Sequence, residues 1–334
     1  MTTVFVYEYC CAVGLGRDES DPAHSLYREG RAMRDAVADD FRRLPGVEAI
    51  TVDDLSPAVE ESVVIGATEQ SDTAILIAPE FDDCLELRCG WARTTGKRLL
   101  NADTNAIRAT KDKLTLSEIW LRAGVPTPFT KRTVDWPTDR LPAVIKRRDG
   151  AGSDYIFVVR SRHDLLIMLP DLADDEPHST IAQDFILGRP ASVAFLVGRR
   201  ETVPLLPTFQ ALSDDGRFQY LGGELPICPK LAERTIQLGR RAIDCVPGLH
   251  GYVGVDLILG NAADGSQDYA IEINPRLTTS YVGLRHLADF NLAGAMLAVA
   301  TGEPVGELRW KPGRVRFRPD GRVESDPTPG ATFG

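Results

Sequence analysis

The chain has 334 residues, 43% hydrophobic and 26% charged, with 38 Lys plus Arg against 48 Asp plus Glu and a formal net charge of −10. That balance excludes a wholly disordered chain, and no apolar run approaches the ~20 residues that span a bilayer. The acidic surplus repels phosphate backbones, so no nucleic-acid or membrane partner is expected, although a local basic pocket for a small phosphate is compatible with it. The length fits about two domains, or one domain with several lobes. The start, Met1-Thr-Thr-Val-Phe5, has no basic stretch, and the six cysteines at 10, 11, 84, 89, 228 and 245 form no CxxC pair. Reduced thiols and a cytoplasmic location are expected.

Residues 1–102 read as a small α/β unit. The run 4–7 is apolar and β-prone, and Ser25 is placed to cap a helix with Leu26, Met33, Val37 and Phe41 on one face, ending near Leu44-Pro45-Gly46. Strands follow at 47–52 and 73–78, the second continuous and apolar as in a parallel strand buried on both faces. Strands alternating with helices predict an open parallel sheet, whose ligands bind beyond the C-terminal strand ends. Glu8 and Glu80 fall there, each readable as a solvated loop carboxylate or as a substrate contact.

Residues 103–178 form a second unit. A helix opens at Lys111-Asp-Lys113 and runs to Ala123, stopped by Gly124 and Pro126. A strand at 143–146 ends in Lys146 and is followed by Asp149-Gly150-Ala151-Gly152-Ser153, with a second strand at 156–159. Residues 179–309 form the third unit. Its expected strands are 180–186, 192–197, 203–212, 217–221, 252–259 and 268–273, with helices at 231–245 and 288–301. Residues 310–334 are rich in Pro, Gly and charge and read as a tail or a loosely docked terminal strand.

The pair of strands around 252–274 carries the clearest chemistry. A hairpin turn centred on Asp264 sets Val255 opposite Ile273, Leu257 opposite Ile271 and Leu259 opposite Tyr269, an apolar face. The other face sets Asp256 opposite Glu272, with Asn274 two residues further on. Opposed acids repel, and a fold tolerates them where something positive sits between. Two carboxylates and an amide oxygen are hard ligands suited to Mg²⁺ or Mn²⁺. Arg276 beside them suits a phosphate or acyl phosphate. Lys146 before a Gly-rich turn suits a flap over a polyphosphate, because glycines let backbone N–H groups approach oxyanions and Ser153 adds a hydroxyl; taken alone, the Gly-Ala-Gly run reads as an ordinary β-turn. No Walker A lysine and no Rossmann fingerprint accompany it.

In this order, Lys113, Lys146 with its Gly loop, the stretch Gln183-Asp184-Phe185-Ile186, Asp256, and Glu272-Ile-Asn274-Pro-Arg276 resemble the ATP-grasp superfamily over essentially the whole chain. The resemblance implies an α/β fold with an N-terminal open parallel-sheet domain (1–102), a small lobe with a flap (103–178) and a large lobe with a metal site (179–309). It implies that Lys113, Lys146, Gly150, Gly152 and Ser153 bind ATP phosphates and that Gln183, Asp184, Phe185 and Ile186 bind adenine, largely through backbone groups. Asp256, Glu272 and Asn274 would hold Mg²⁺ or Mn²⁺, and Arg276 would stabilise phosphoryl transfer. Members activate a carboxylate as an acyl phosphate, from which an amine or another nucleophile then displaces phosphate. The stretch Gly188–Ser192 lacks the Glu that many members place after the hinge.

A narrower resemblance lies in Val6-Tyr-Glu-Tyr9, Ser25-Leu-Tyr-Arg-Glu-Gly30, Ile77-Ala-Pro-Glu80 and the run Glu272 to Arg285, which are similar to the tyramine–L-glutamate ligase family of methanofuran and methylofuran biosynthesis. It implies an ATP-dependent ligase that joins the glutamate γ-carboxyl to tyramine or a similar amine, with small-molecule amine and amino-acid substrates and a homodimer by analogy. Glu8, Glu80 and Tyr281 are the candidates for the cationic amine, and Thr279 and Ser280 for the acyl phosphate or glutamate, or for a helix cap. An ATP-grasp phosphotransferase or ligase on another carboxylate, and a non-catalytic ATP-binding protein, are the competing readings.

Overall fold

In the computed structural model, residues 1–150, 155–167 and 179–326 are described; the flap residues Gly152 and Ser153 lie outside them. Three sheets organise the chain. In the first, β1 (Thr2–Glu8), β2 (Val47–Ile50), β3 (Thr73–Ile77) and β4 (Arg98–Leu99) are all parallel, in the order β2-β1-β3-β4. Every residue of β3 is buried, as its unbroken apolar run requires of a strand covered on both faces. The helices of this region are α1 (Tyr9–Val13), α2 (His24–Arg42), α3 (Pro57–Glu69) and α4 (Cys84–Thr94). The long helix begins one residue before Ser25, and neither Ser25 nor Ala23 supplies a side-chain cap.

The helix expected to open at Lys111-Asp-Lys113 and run to Ala123 is α6 (Lys113–Arg122), and a further helix, α5 (Thr104–Lys111), precedes it. Asp112 breaks them. Its backbone is extended, and its carboxylate caps α6 by accepting from the Leu114 and Thr115 N–H groups at 3.1 Å. The same carboxylate receives the Arg148 guanidinium at 2.6 and 2.8 Å. These bonds tie the start of α6 to the end of the second sheet, β5 (Thr130–Arg132), β6 (Ala143–Arg147), β7 (Phe157–Val159) and β8 (Thr180–Asp184), antiparallel in the order β5-β8-β6-β7.

The third sheet has eight strands: β9 (Arg189–Val197), β10 (Thr202–Pro204), β11 (Thr208–Leu212), β12 (Tyr220–Leu225), β13 (Gly251–Leu259), β14 (Tyr269–Asn274), β15 (Arg314–Phe317) and β16 (Val323–Asp326). The single strand expected over 203–212 is split, because Pro207, between β10 and β11, has no N–H to give to a ladder with β9. The strand expected at 217–221 lies later, at β12. Helices α7 (Pro229–Asp244), α8 (Ser280–Leu287) and α9 (Leu292–Thr301) pack on this sheet, α9 capped by Asn291, which accepts from the Gly294 N–H at 2.9 Å.

Of the two forms expected for the C-terminal segment, residues 314–326 take the docked-strand one. β15 pairs antiparallel with β12 and with β16, and Val315 and Phe317 are buried while Arg314 and Arg316 face outward. Gly222, at φ +127°, permits the pairing, since a Cβ there would lie 2.0 Å from the Phe317 carbonyl oxygen. One apolar core runs from the first sheet into the large one, joining Phe5, Leu76 and Trp120 to Phe195, Val253 and Ile273. Among the described residues no helix is long and apolar enough to cross a membrane.

Candidate active site

The β13–β14 register is set by period-two alternation. Val255 pairs with Ile273 and Asp256 with Glu272, as the sequence predicts. Beyond them a bulge shifts the ladder: Leu257 pairs with Ala270 and not with the expected Ile271, and Tyr269 pairs with Ile258 and not with the expected Leu259. The extra residue re-aims the strand. Ile258 and Ile271 consequently line a cavity of about 520 Å³ together with Asp256 and Glu272.

This cavity lies where the three sheets meet, beyond the C-terminal end of β1. Its large-lobe wall carries two acids on adjacent strands. Asp256 accepts from Gln210 Nε2 at 2.9 Å and from Asn274 Nδ2 at 3.2 Å. Burial and the facing Glu272 carboxylate push Asp256 above the ordinary carboxylate range. Burial alone would raise Glu272 too, but the Lys113 and Lys146 ammonium groups hold it below its usual value. Lys113 Nζ stands 3.8 Å from Glu272 and donates to the Gly150 carbonyl at 2.7 Å. Lys146 is 6% exposed, and burial lowers it to about 8. Two lysines and two carboxylates therefore converge from α6, β6, β13 and β14. Among the described residues no three His, Cys, Asp or Glu side chains are placed together to hold a metal ion; the donor set here is two carboxylates plus the Asn274 amide. Opposed acids held in a buried wall fit a small hard cation.

The stretch from Gln183 to Ile186 lines the small-lobe wall. Gln183 is buried and its Nε2 donates to Thr130 Oγ1 at 3.0 Å. The Asp184 carboxylate is bound by Arg140 at 2.6 and 2.7 Å, and the Asp184 and Phe185 N–H groups donate to the Phe129 and Pro142 carbonyls. The Phe185 ring lies near parallel to Phe218, with centroids 6.3 Å apart and planes at 19°. Flat aromatic faces of this kind suit a planar base. Phe218 and Ile271 carry no motif in the sequence and are reached only through the fold.

Arg276 is held by Glu80, Nε and Nη2 donating to its two carboxylate oxygens at 2.9 and 3.1 Å. Glu80 is 4% exposed. Its carboxylate is thus committed to the arginine, and it acts by fixing where that guanidinium points. Thr279 donates to Glu29, and Ser280 Oγ lies 3.0 Å from Tyr252 Oη, both residues lining the cavity. Tyr281 is not brought there. It is fully buried, and its hydroxyl donates to Asp40 at 2.7 Å on the other side of α8.

The N-terminal wall adds Glu8, and residues Leu26, Glu29, Gly30 and Met33 along one face of α2. Glu8 is 2% exposed and caps α1, accepting from Cys10 N at 3.2 Å and Cys11 N at 2.8 Å. Burial pushes it up to about 7 against the pull of those N–H groups. Gly30 makes its space, since a Cβ there would lie 2.2 Å from Glu8 Oε1. Replacing Gly inside a helix by Ala ordinarily gains up to about 1 kcal/mol. Gly30→Ala is expected to lose about 1–2 kcal/mol instead, by overpacking against a carboxylate that two backbone bonds hold in place, as a thermal melt would read.

Comparison with known proteins places this geometry. Residues 110–280 match the model of the ATP-grasp domain and residues 33–107 that of the pre ATP-grasp 3 domain. The chain belongs to the ATP-grasp superfamily, and it is an ATP-dependent ligase that forms a C–N bond. Within that class it is similar to the tyramine–L-glutamate ligase of Methanocaldococcus fervens, 28% identical over 82% of this chain and 80% of the relative. The same enzyme of Methanocaldococcus jannaschii is 30% identical over 73% of this chain and 67% of the relative. Among solved structures, an ATP-grasp superfamily protein from Archaeoglobus fulgidus superposes with a TM-score of 0.70 at 26% identity, covering 95% of this chain and 92% of that one. The L-amino acid ligase from Bacillus licheniformis superposes with a TM-score of 0.65 at 16% identity, covering 95% and 79%, and so shares the fold.

Proposed function

We propose that the protein joins L-glutamate, through its γ-carboxyl, to tyramine or a closely similar amine, by way of an acyl phosphate. The observation that carries the reading is the polarity of the cavity described above. Its inner wall gathers Lys113, Lys146 and Arg276 around two acids, whereas the wall from the N-terminal unit offers Glu8, Glu29 and Asp82 among Leu26, Met33 and Phe81, with no Lys or Arg among its described residues. The first suits polyphosphate and an activated carboxylate; the second suits the ammonium and apolar body of an amine that has no carboxylate of its own. The names of the curated relatives point the same way.

Under this reading the adenine lies against Phe185 and Ile186, and Lys113 and Lys146 neutralise the phosphate oxygens. Asp256, Glu272 and Asn274 hold the divalent cation, which when bound supplies charge to offset developing negative charge on the phosphates. Arg276, oriented by Glu80, faces the transferring phosphoryl group and then the carbonyl oxygen of the acyl phosphate. No side chain needs to form a covalent intermediate; positioning and charge suffice for phosphoryl transfer.

The test is phosphate release from ATP and Mg²⁺ with L-glutamate, with and without tyramine, and the product mass read alongside. Amine-dependent release and a glutamyl-tyramine mass are expected. Release with another amine alone would keep the ligase and replace the substrate pair.

A further inference from the structure

An amine that displaces phosphate must first lose a proton, because an alkylammonium with a pKa of about 10 has no lone pair to offer at neutral pH. We propose that Glu29 holds the acceptor's ammonium and takes that proton, a role that rests on the ligase reading above. Glu29 lies on the cavity face of α2, one turn after Leu26 and one before Met33. It reaches across to the large lobe, where the Thr279 hydroxyl donates to one of its oxygens. Arg276, Tyr220 and the Cys10 thiol are the ionisable groups close enough to feel its charge, and the Glu8 carboxylate lies against the neighbouring Gly30. Arg285, on α8, faces the far end of α2 and is bound there by Asp39 and Asp40. Glu29 therefore stands beside the arginine assigned to the reacting carbonyl, on the wall from which the amine arrives.

The other acids of the cavity are less suited. Both oxygens of Glu8 are engaged by the α1 N–H groups, Asp82 is exposed, Asp184 is bound by Arg140, and Asp256 and Glu272 face the phosphate side. Burial raises the Glu29 carboxyl, opposed by Thr279 and Arg276, which makes it a stronger proton acceptor than a surface carboxylate.

The step balances as follows. One ammonium proton passes to Glu29, and the nitrogen lone pair forms the C–N bond at the acyl carbon. The C–O bond to phosphate breaks with its electron pair on the phosphate. The second proton leaves the nitrogen with that phosphate, and Glu29 returns its own to solvent.

Hydroxylamine, neutral at pH 7, reaches the acyl phosphate without a base and so reports the first half of the reaction. The experiment compares glutamyl hydroxamate with glutamyl-tyramine formation in the wild-type protein and in Glu29→Gln, whose amide oxygen still accepts from Thr279. The ratio of hydroxamate to tyramide rate is expected to rise about 100-fold in the variant at pH 7, and to fall back as pH approaches the amine's own pKa. An unchanged ratio, whether both rates persist or both fall, overturns the role of Glu29 and leaves the ligase intact. A wild-type protein that makes neither product overturns the ligase reading and this proposal with it.

Discussion

Asp256→Asn is expected to lower ATP turnover by about 10³-fold and at the same time to raise the melting temperature in the absence of divalent cations. Catalysis falls because a hard-cation site that loses one of two carboxylates loses several kcal/mol of charge stabilisation, and each 1.4 kcal/mol is about tenfold in rate. Stability rises because Asp256 and Glu272 are directly paired across β13 and β14 and repel. An amide in place of Asp256 donates to Glu272 and still accepts from Gln210, losing only the longer 3.2 Å bond from Asn274. Relief of about 1 kcal/mol raises a melting temperature by about 2–4 °C in a domain of this size. Phosphate release with Mg²⁺ and a thermal scan in chelator read the two effects. Glu272→Gln should abolish turnover likewise, with the fold retained. Full activity in that variant would remove the pair from the metal site.

The opposite signature is expected of Asp40→Ala. Asp40 is on α2, and its carboxylate receives the Tyr281 hydroxyl at 2.7 Å and Arg285 at 2.6 to 3.1 Å, while its carbonyl accepts from Asn291 at 2.7 Å. These bonds bind the N-terminal unit to α8 and the start of α9. Truncation leaves the buried Tyr281 hydroxyl without its acceptor and the Arg285 guanidinium with Asp39 alone, a loss of about 3 kcal/mol. A fall of about 10 °C in melting temperature follows. Asp40→Asn, which retains an acceptor for Tyr281, should lose less.

The contrast between these two carboxylates shows where sequence reading succeeds. Asp256 and Glu272 belong to one hairpin, and their pairing depends only on strand alternation and the position of a short turn. The bulge that follows was not legible, because no Gly or Pro marks it, and it moves Ile271 from the expected apolar face into the cavity. Asp40 carries no local signal at all. The Tyr281, Arg285 and Asn291 side chains that hydrogen-bond to it stand more than 240 residues away in the chain.

By itself, then, the sequence determined the α/β class, the all-parallel first sheet, the order of the two lysines before the two acids, and the opposition of Asp256 to Glu272. These follow from short-range periodicity and from side-chain chemistry carried in single segments. Tertiary structure alone decided that Glu80 grips Arg276, that Tyr281 turns away from the cavity toward Asp40, that Glu29 enters it beside Thr279, and that residues 314–326 complete the large sheet. Each of these joins segments far apart in the chain, and burial is what selects them. A charged or hydroxyl group removed from water must find a partner wherever the packed elements bring one, and no local pattern records where that is.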